Sequence, residues 1–225
     1  MSNEPVIIDA VIPVGVARTG QKHEKNCICI HNTGDENKKG SSAALARYLS
    51  NIAASEARSW HYSVDDKETY RHVPDDEIAW HAGDGTKADG GNLNSIGIEI
   101  SYGSNIDKDV AFDRAARLTG WLLWKYGWST DRVKQHWDFK SSKYPKGKNC
   151  PYYFRRDGRW DDFIALCEKY RKEFYGDHWA KPFLNALIKD GVVEDPSSWE
   201  DLDAPVTKGQ CIALALKLKN AIKKG

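Results

Sequence analysis

The chain has 225 residues, 40% of them hydrophobic and 29% charged, which is enough to bury a full core and leave room for one large domain and a small one. Lysine and arginine number 33 against 32 aspartates and glutamates, so no overall field draws the protein to nucleic acid or an anionic membrane. The opening MSNEPVIIDAVIPVG has no basic start and no long apolar core, and no later stretch nears the roughly eighteen apolar residues of a membrane span. The expectation is synthesis in the cytoplasm without a signal peptide, with action outside only after release.

In chain order, NCICIHNTG (26–34) alternates apolar residues as a strand does and then enters an Asn-Thr-Gly turn, which puts His31 at the strand's tip. SSAALARYLSNIAASEA (41–57) has a serine-rich start and a face made of Leu45, Tyr48, Leu49 and Ile52, a helix signature. Residues 60–74 form two short strands around Asp65-Asp66-Lys67, a predicted hairpin. AWHAGDGTKADGGNLN (79–94) is rich in Gly, Asp and Asn and reads as a long functional loop.

NSIGIEIS (94–101) alternates cleanly, with Ile96, Ile98 and Ile100 on one face and Ser95, Gly97, Glu99 and Ser101 on the other. One carboxylate stands alone there among small residues. Residues 108–127 form an amphipathic helix with Gly127 as its C-cap, 131–136 a short strand ending in His136, and 155–174 a further helix. This order predicts an α/β domain over residues 1–174, a mixed central β-sheet flanked by helices. Residues 175–225 then form a small helical C-terminal module of two short helices, the second opening on a Thr207-x-x-Gln210 capping box.

Five cysteines is an odd count, and Cys27 and Cys29 are too close in one strand to pair, so all are read as reduced. The stretch KQHWDFKSSKYPKGKNCP (134–151) admits two readings: an ordinary polar loop, or part of a metal site with a ligand elsewhere. His31 and His136 at two strand tips, with Cys150 after the second, would leave a tetrahedral Zn²⁺ one open position, as catalytic sites require. Glu99 would supply a base beside it, or else be an exposed strand residue paired with a lysine.

HNTG (31–34), WHYSVDD (60–66), AWHAGDG (79–85), NSIGIEI (94–100) and KGKNCP (146–151), together and in this order, resemble the zinc-dependent N-acetylmuramoyl-L-alanine amidases of type 2. That family includes phage endolysins and bacterial autolysins and is related to the peptidoglycan recognition proteins. The resemblance covers roughly residues 6–172. It implies hydrolysis of the amide between N-acetylmuramic acid and the L-alanine of the stem peptide, with peptidoglycan as the partner, and with no signal peptide an endolysin is expected rather than a secreted autolysin. It implies His31, His136 and Cys150 as Zn²⁺ ligands, Glu99 as the catalytic carboxylate and Lys148 facing the scissile carbonyl. His81 and Asp84 are expected on the groove rim as substrate contacts. Trp60 is expected where some members carry a substrate-facing tyrosine.

The rival is a non-catalytic peptidoglycan-binding protein of the same fold. The tail resembles a single S-layer-homology repeat, which implies binding to a cell-wall polymer, with oligomerisation through the tail as an alternative.

Overall fold

The computed structural model describes residues 4–33, 36–176 and 181–193 and positions 209, 212, 213 and 215–217. It divides into two compact units, Met1–Arg171 and Lys172–Gly225. Thr207 and Gln210, expected to cap the last helix, lie outside the described residues.

A six-stranded mixed sheet organises the first unit, in the order β1(Ile8–Asp9), β4(Thr69–Arg71), β3(Tyr62–Val64), β5(Ser95–Ser101), β2(Cys27–Thr33) and β6(Val133–Gln135). Only the β3–β4 hairpin is antiparallel; the other four pairings are parallel. The central pair, β2 and β5, is the best protected: Ile28, Ile30, Ile96, Ile98 and Ile100 are all fully buried. A parallel sheet has to be covered on both faces, and the small residues Ser95 and Ser101 opposite the isoleucines are buried too.

Helix α1(Ser42–Ile52) packs on β3 and β4, and α3(Lys108–Lys125) packs on β5 and β3. Ser41 caps α1 by accepting from the Ala44 amide, and Leu49 and Ile52 carry its buried stripe. In α3, Gly120 allows the helix to lie against α5(Trp160–Gly176): a Cβ there would sit 2.7 Å from the Tyr170 Cβ and 2.8 Å from the Cys167 carbonyl oxygen. Phe112, Phe154 and Phe163 meet at ring distances of 5.0 to 5.3 Å and fill the core between these helices and α4(Tyr152–Arg156).

Several boundaries differ from the sequence expectation. The helix expected at 155–174 is two helices, because Gly158 takes a left-handed φ of 66° after α4, and α5 starts afresh at Trp160. Strand β6 is only three residues long. It follows a 3₁₀ turn at Thr130–Arg132, and His136 opens a second such turn, His136–Asp138, whose start is fixed by Asp138 accepting from the Gln135 amide. The loop at 79–94 ends in a short helix, α2(Gly91–Asn94).

In the second unit, α6(Lys181–Lys189) ends in a turn at Gly191, where the Val192 and Val193 amides both reach the Leu187 carbonyl. No helix among the described residues is long and apolar enough to cross a membrane. The four described cysteines, Cys27, Cys29, Cys150 and Cys167, are free thiols.

Candidate active site

Strand pairing builds the floor of the site. In the parallel ladder of β2 and β5, His31 lies directly beside Glu99, so their side chains share a face of the sheet. The His31 Nδ1 is 3.9 Å from the Glu99 Oε1. Next to β2, β6 delivers His136 just past its last residue, and the His136 Nδ1 comes to 2.9 Å from the His31 Nδ1.

Cys150 reaches the same point through a loop of thirteen intervening residues. The loop is closed by a backbone hydrogen bond from the Trp137 amide to the Cys150 carbonyl, 2.9 Å, and Gly147 folds it back on the Trp137 carbonyl at a φ of 92°. Past the cis Cys150–Pro151 bond, the Tyr153 amide donates to the Asn32 side chain, which fastens the loop's far end to β2. The Cys150 Sγ then lies 3.8 Å from the His31 Nδ1.

These three buried donors fit a small cation. The donor atoms of His31, His136 and Cys150 all lie within 4.8 Å of one another. Tetrahedral zinc with bonds of about 2.0 Å to nitrogen and 2.3 Å to sulfur separates its donors by roughly 3.3–3.6 Å, close to the distances found. The chemistry of the donors agrees. The His136 Nε2–H donates to the Ala82 carbonyl at 2.9 Å, which leaves Nδ1 as a bare lone pair aimed at His31. Burial and neighbouring positive or ring groups push His31 well below the usual histidine range, and burial with Lys148 pushes His136 to about 4, so both rings are neutral at pH 7 and free to act as donors. Burial, reinforced by Glu99, drives the Cys150 thiol up to about 12 without a cation. A dication would take the place of that proton.

The Glu99 side chain is 14% exposed, and desolvation raises its pKa to about 8 against the opposing pull of Lys148. The charge of the same lysine also lowers His31 and His136 and opposes the rise of Cys150. Its Nζ also lies 5.9 Å from the centre of the Tyr144 ring, which itself stands against His136.

The three expected substrate contacts are placed differently. His81 is 9% exposed, and its Nδ1 lies 2.9 Å from the His31 Nε2, behind the donors rather than on a rim. The Asp84 carboxylate accepts from the Gly91 and Asn92 amides, at 2.6 and 3.3 Å, and so fastens its own loop to the start of α2. Trp60 needs correction: it belongs to a hydrophobic cluster with Ile12, Ala17, Leu49, Ile52 and Ala53, and its indole N–H donates to Ser63. An aromatic ring at a motif position looks the same in sequence whether it lines a groove or a core.

Two residues with no obvious sequence signal also build the site. The Asn92 Oδ1 accepts from both the His81 and Ala82 amides, which turns the Ala82 carbonyl toward His136. Gly97, beside Cys29 on the sheet, leaves room for the His81 ring: a Cβ there would be 2.7 Å from the ring's Cγ. His61 is structural, its Nδ1 accepting from the Gly97 amide and its Nε2 donating to the Glu77 carbonyl.

The family profile described as N-acetylmuramoyl-L-alanine amidase matches residues 21–153, a span that includes His31, Glu99, His136, Lys148 and Cys150. The chain belongs to the N-acetylmuramoyl-L-alanine amidase family. Among curated proteins it is similar to CwlA of Bacillus subtilis, 37% identical over 151 residues that make up 66% of this chain and 51% of that one. XlyA of the same organism is 39% identical over 160 residues, 71% of this chain and 50% of XlyA. The chain thus spans about half the length of the curated relatives it matches. Among solved structures, the catalytic domain of XlyA superposes with a TM-score of 0.63 at 37% identity, covering 72% of this chain and 99% of that domain. Its mixed sheet flanked by helices is therefore the family fold.

Proposed function

We infer that this chain is a zinc-dependent peptidoglycan hydrolase that cleaves the amide between N-acetylmuramic acid and the L-alanine of the stem peptide, as an endolysin or autolysin. The observation that carries this reading is the convergence of His31, His136 and Cys150 on one point, with Glu99 3.9 Å from the nearest donor. Relatives whose names state this activity support it.

Zinc held by His31, His136 and Cys150 would supply a Lewis acid that polarises a carbonyl and acidifies water. The remaining work falls to side chains of this protein. Glu99, as a carboxylate, takes a proton from the attacking water and hands it to the departing alanine nitrogen. Burial raises its proton affinity when no cation is present, which suits the delivery half of that transfer, and a dication at the three donors would favour the carboxylate that the first half needs. The Lys148 ammonium, whose charge is felt at Glu99 and at the three donors, stabilises the negative charge that develops on the carbonyl oxygen as water adds. His31 and His136 must stay neutral throughout, which their burial secures.

A suspension of purified bacterial walls tests the reading. The protein should clear it, a chelator should stop the clearing, and added zinc should restore it. Undiminished clearing in a strong chelator would refute zinc dependence. The second unit, which resembles a cell-wall-binding repeat in sequence, would serve to hold the enzyme on its insoluble substrate.

A further inference from the structure

The donors around His31 form two overlapping groups: His31, His136 and Cys150 on one side, and Cys29, His31 and His81 on the other. Both groups draw on His31, which uses Nδ1 toward His136 and Nε2 toward His81. A neutral imidazole has one lone pair and one N–H, so it cannot ligate metals through both nitrogens at once. The second group therefore does not read as a second metal site, and its position demands another explanation.

We propose that His81 is a positioning residue that sets the tautomer and ring angle of the metal ligand His31, resting on the metal-site reading above. A metal-ligating histidine nearly always gives its other N–H to a fixed acceptor, commonly a carboxylate or a backbone carbonyl. Here the acceptor is another imidazole, 2.9 Å away, with the two rings at 88° to each other.

That choice allows two states of equal charge. Without metal, the His31 Nδ1–H donates to the bare His136 Nδ1, and the His31 Nε2 accepts from the His81 Nδ1–H. A metal held at the His31 Nδ1 would leave the His31 proton on Nε2, donating to the His81 Nδ1, and the His81 proton on its own Nε2. Two protons are on the pair in both states. A carboxylate could accept in the second state but not donate in the first.

The fold holds His81 in place from three directions. Its amide donates to the Asn92 Oδ1, its ring lies over Gly97 where a side chain would collide, and its far edge faces the His61 ring at 5.9 Å between centroids. This is a different role from the substrate contact expected from sequence, and the 9% exposure of His81 agrees with it.

The test measures zinc binding by competition with a chromophoric chelator, with ¹⁵N NMR of the histidine rings in the full chain. The unaltered protein should bind one zinc, not two, and on binding the His81 proton should move from Nδ1 to Nε2. His81→Phe keeps a ring but loses the acceptor, and should weaken zinc binding by about 10- to 100-fold. His81→Asn keeps an acceptor or donor near the Nδ1 position and should stay within about 3-fold of the parent, by the same reasoning. Full zinc affinity in a folded His81→Phe protein would overturn the proposal, as would an unchanged His81 tautomer in the unaltered protein. If the unaltered protein bound no zinc, the metal-site reading itself would fail, so the two failures are distinct.

Discussion

The Nδ1 atoms of His31 and His136 face each other across 2.9 Å, although the residues are 105 positions apart and enter from neighbouring strands. Two ring nitrogens brought so close inside a protein need a proton or a cation between them.

Cys150→Ser replaces a thiolate donor with a poor neutral one while changing little in volume. Zinc content and wall lysis should fall together in this variant. Elemental analysis that found one zinc per chain with lysis intact would remove Cys150 from the site.

Glu99→Gln is nearly isosteric but cannot accept a proton. It should keep the fold and the metal while kcat falls at least ~10²-fold. Lys148→Ala removes one stabilising charge at the developing oxyanion and should lower kcat by about 10- to 10³-fold. Turnover of Glu99→Gln near the parent rate would assign the base to another group.

Stability should depend on pH through histidines outside the metal site. Burial lowers His61 and His72 to about 4, below the unfolded value of about 6.5. Between these values the unfolded chain binds more protons than the folded one, so stability rises with pH. The contribution is complete above about pH 6.5 and is lost as pH falls toward about 4, at up to roughly 3 kcal/mol for each histidine. Denaturant unfolding across that range, in chelator, checks it; a flat profile would mean that these rings are not buried and neutral.

Trp60 offers a clean separation of core from substrate contact. Trp60→Phe should cost stability, about 1–2 kcal/mol from the lost Ser63 hydrogen bond and indole packing, and leave KM for soluble muropeptide unchanged. A large rise in KM with stability intact would return Trp60 to the groove.

If the second unit targets the wall, a chain ending after Gly176 should cleave soluble muropeptide at the parent rate but bind whole walls poorly. Every proposed catalytic residue precedes that point. Equal wall binding by both forms in a pull-down would leave the tail without a targeting role.

Much of this was legible in the sequence because it rests on local pattern. The alternation of Ser95 to Ser101 marks β5 and places Glu99 opposite three isoleucines, and a period of two needs only seven residues to show itself. Motifs in register brought His31, His136 and Cys150 together. What stayed hidden depends on contacts between distant segments. The approach of His81 to His31 spans fifty positions, and nothing about Gly97 announces that a ring lies on it. Strand β1 has two residues, too few for any periodicity. The break between α4 and α5 turns on the left-handed φ of Gly158, which interrupts an otherwise helical composition.

The most direct test of the central claim is the chemistry of the product. Purified walls digested with the zinc-loaded protein should release peptides with a new free α-amine on L-alanine, with no new reducing sugar ends, and chelator should abolish that release. New reducing ends, or new amines only within the stem peptide or its cross-bridges, would contradict the assignment of the scissile bond and the amidase account built on His31, His136, Cys150 and Glu99.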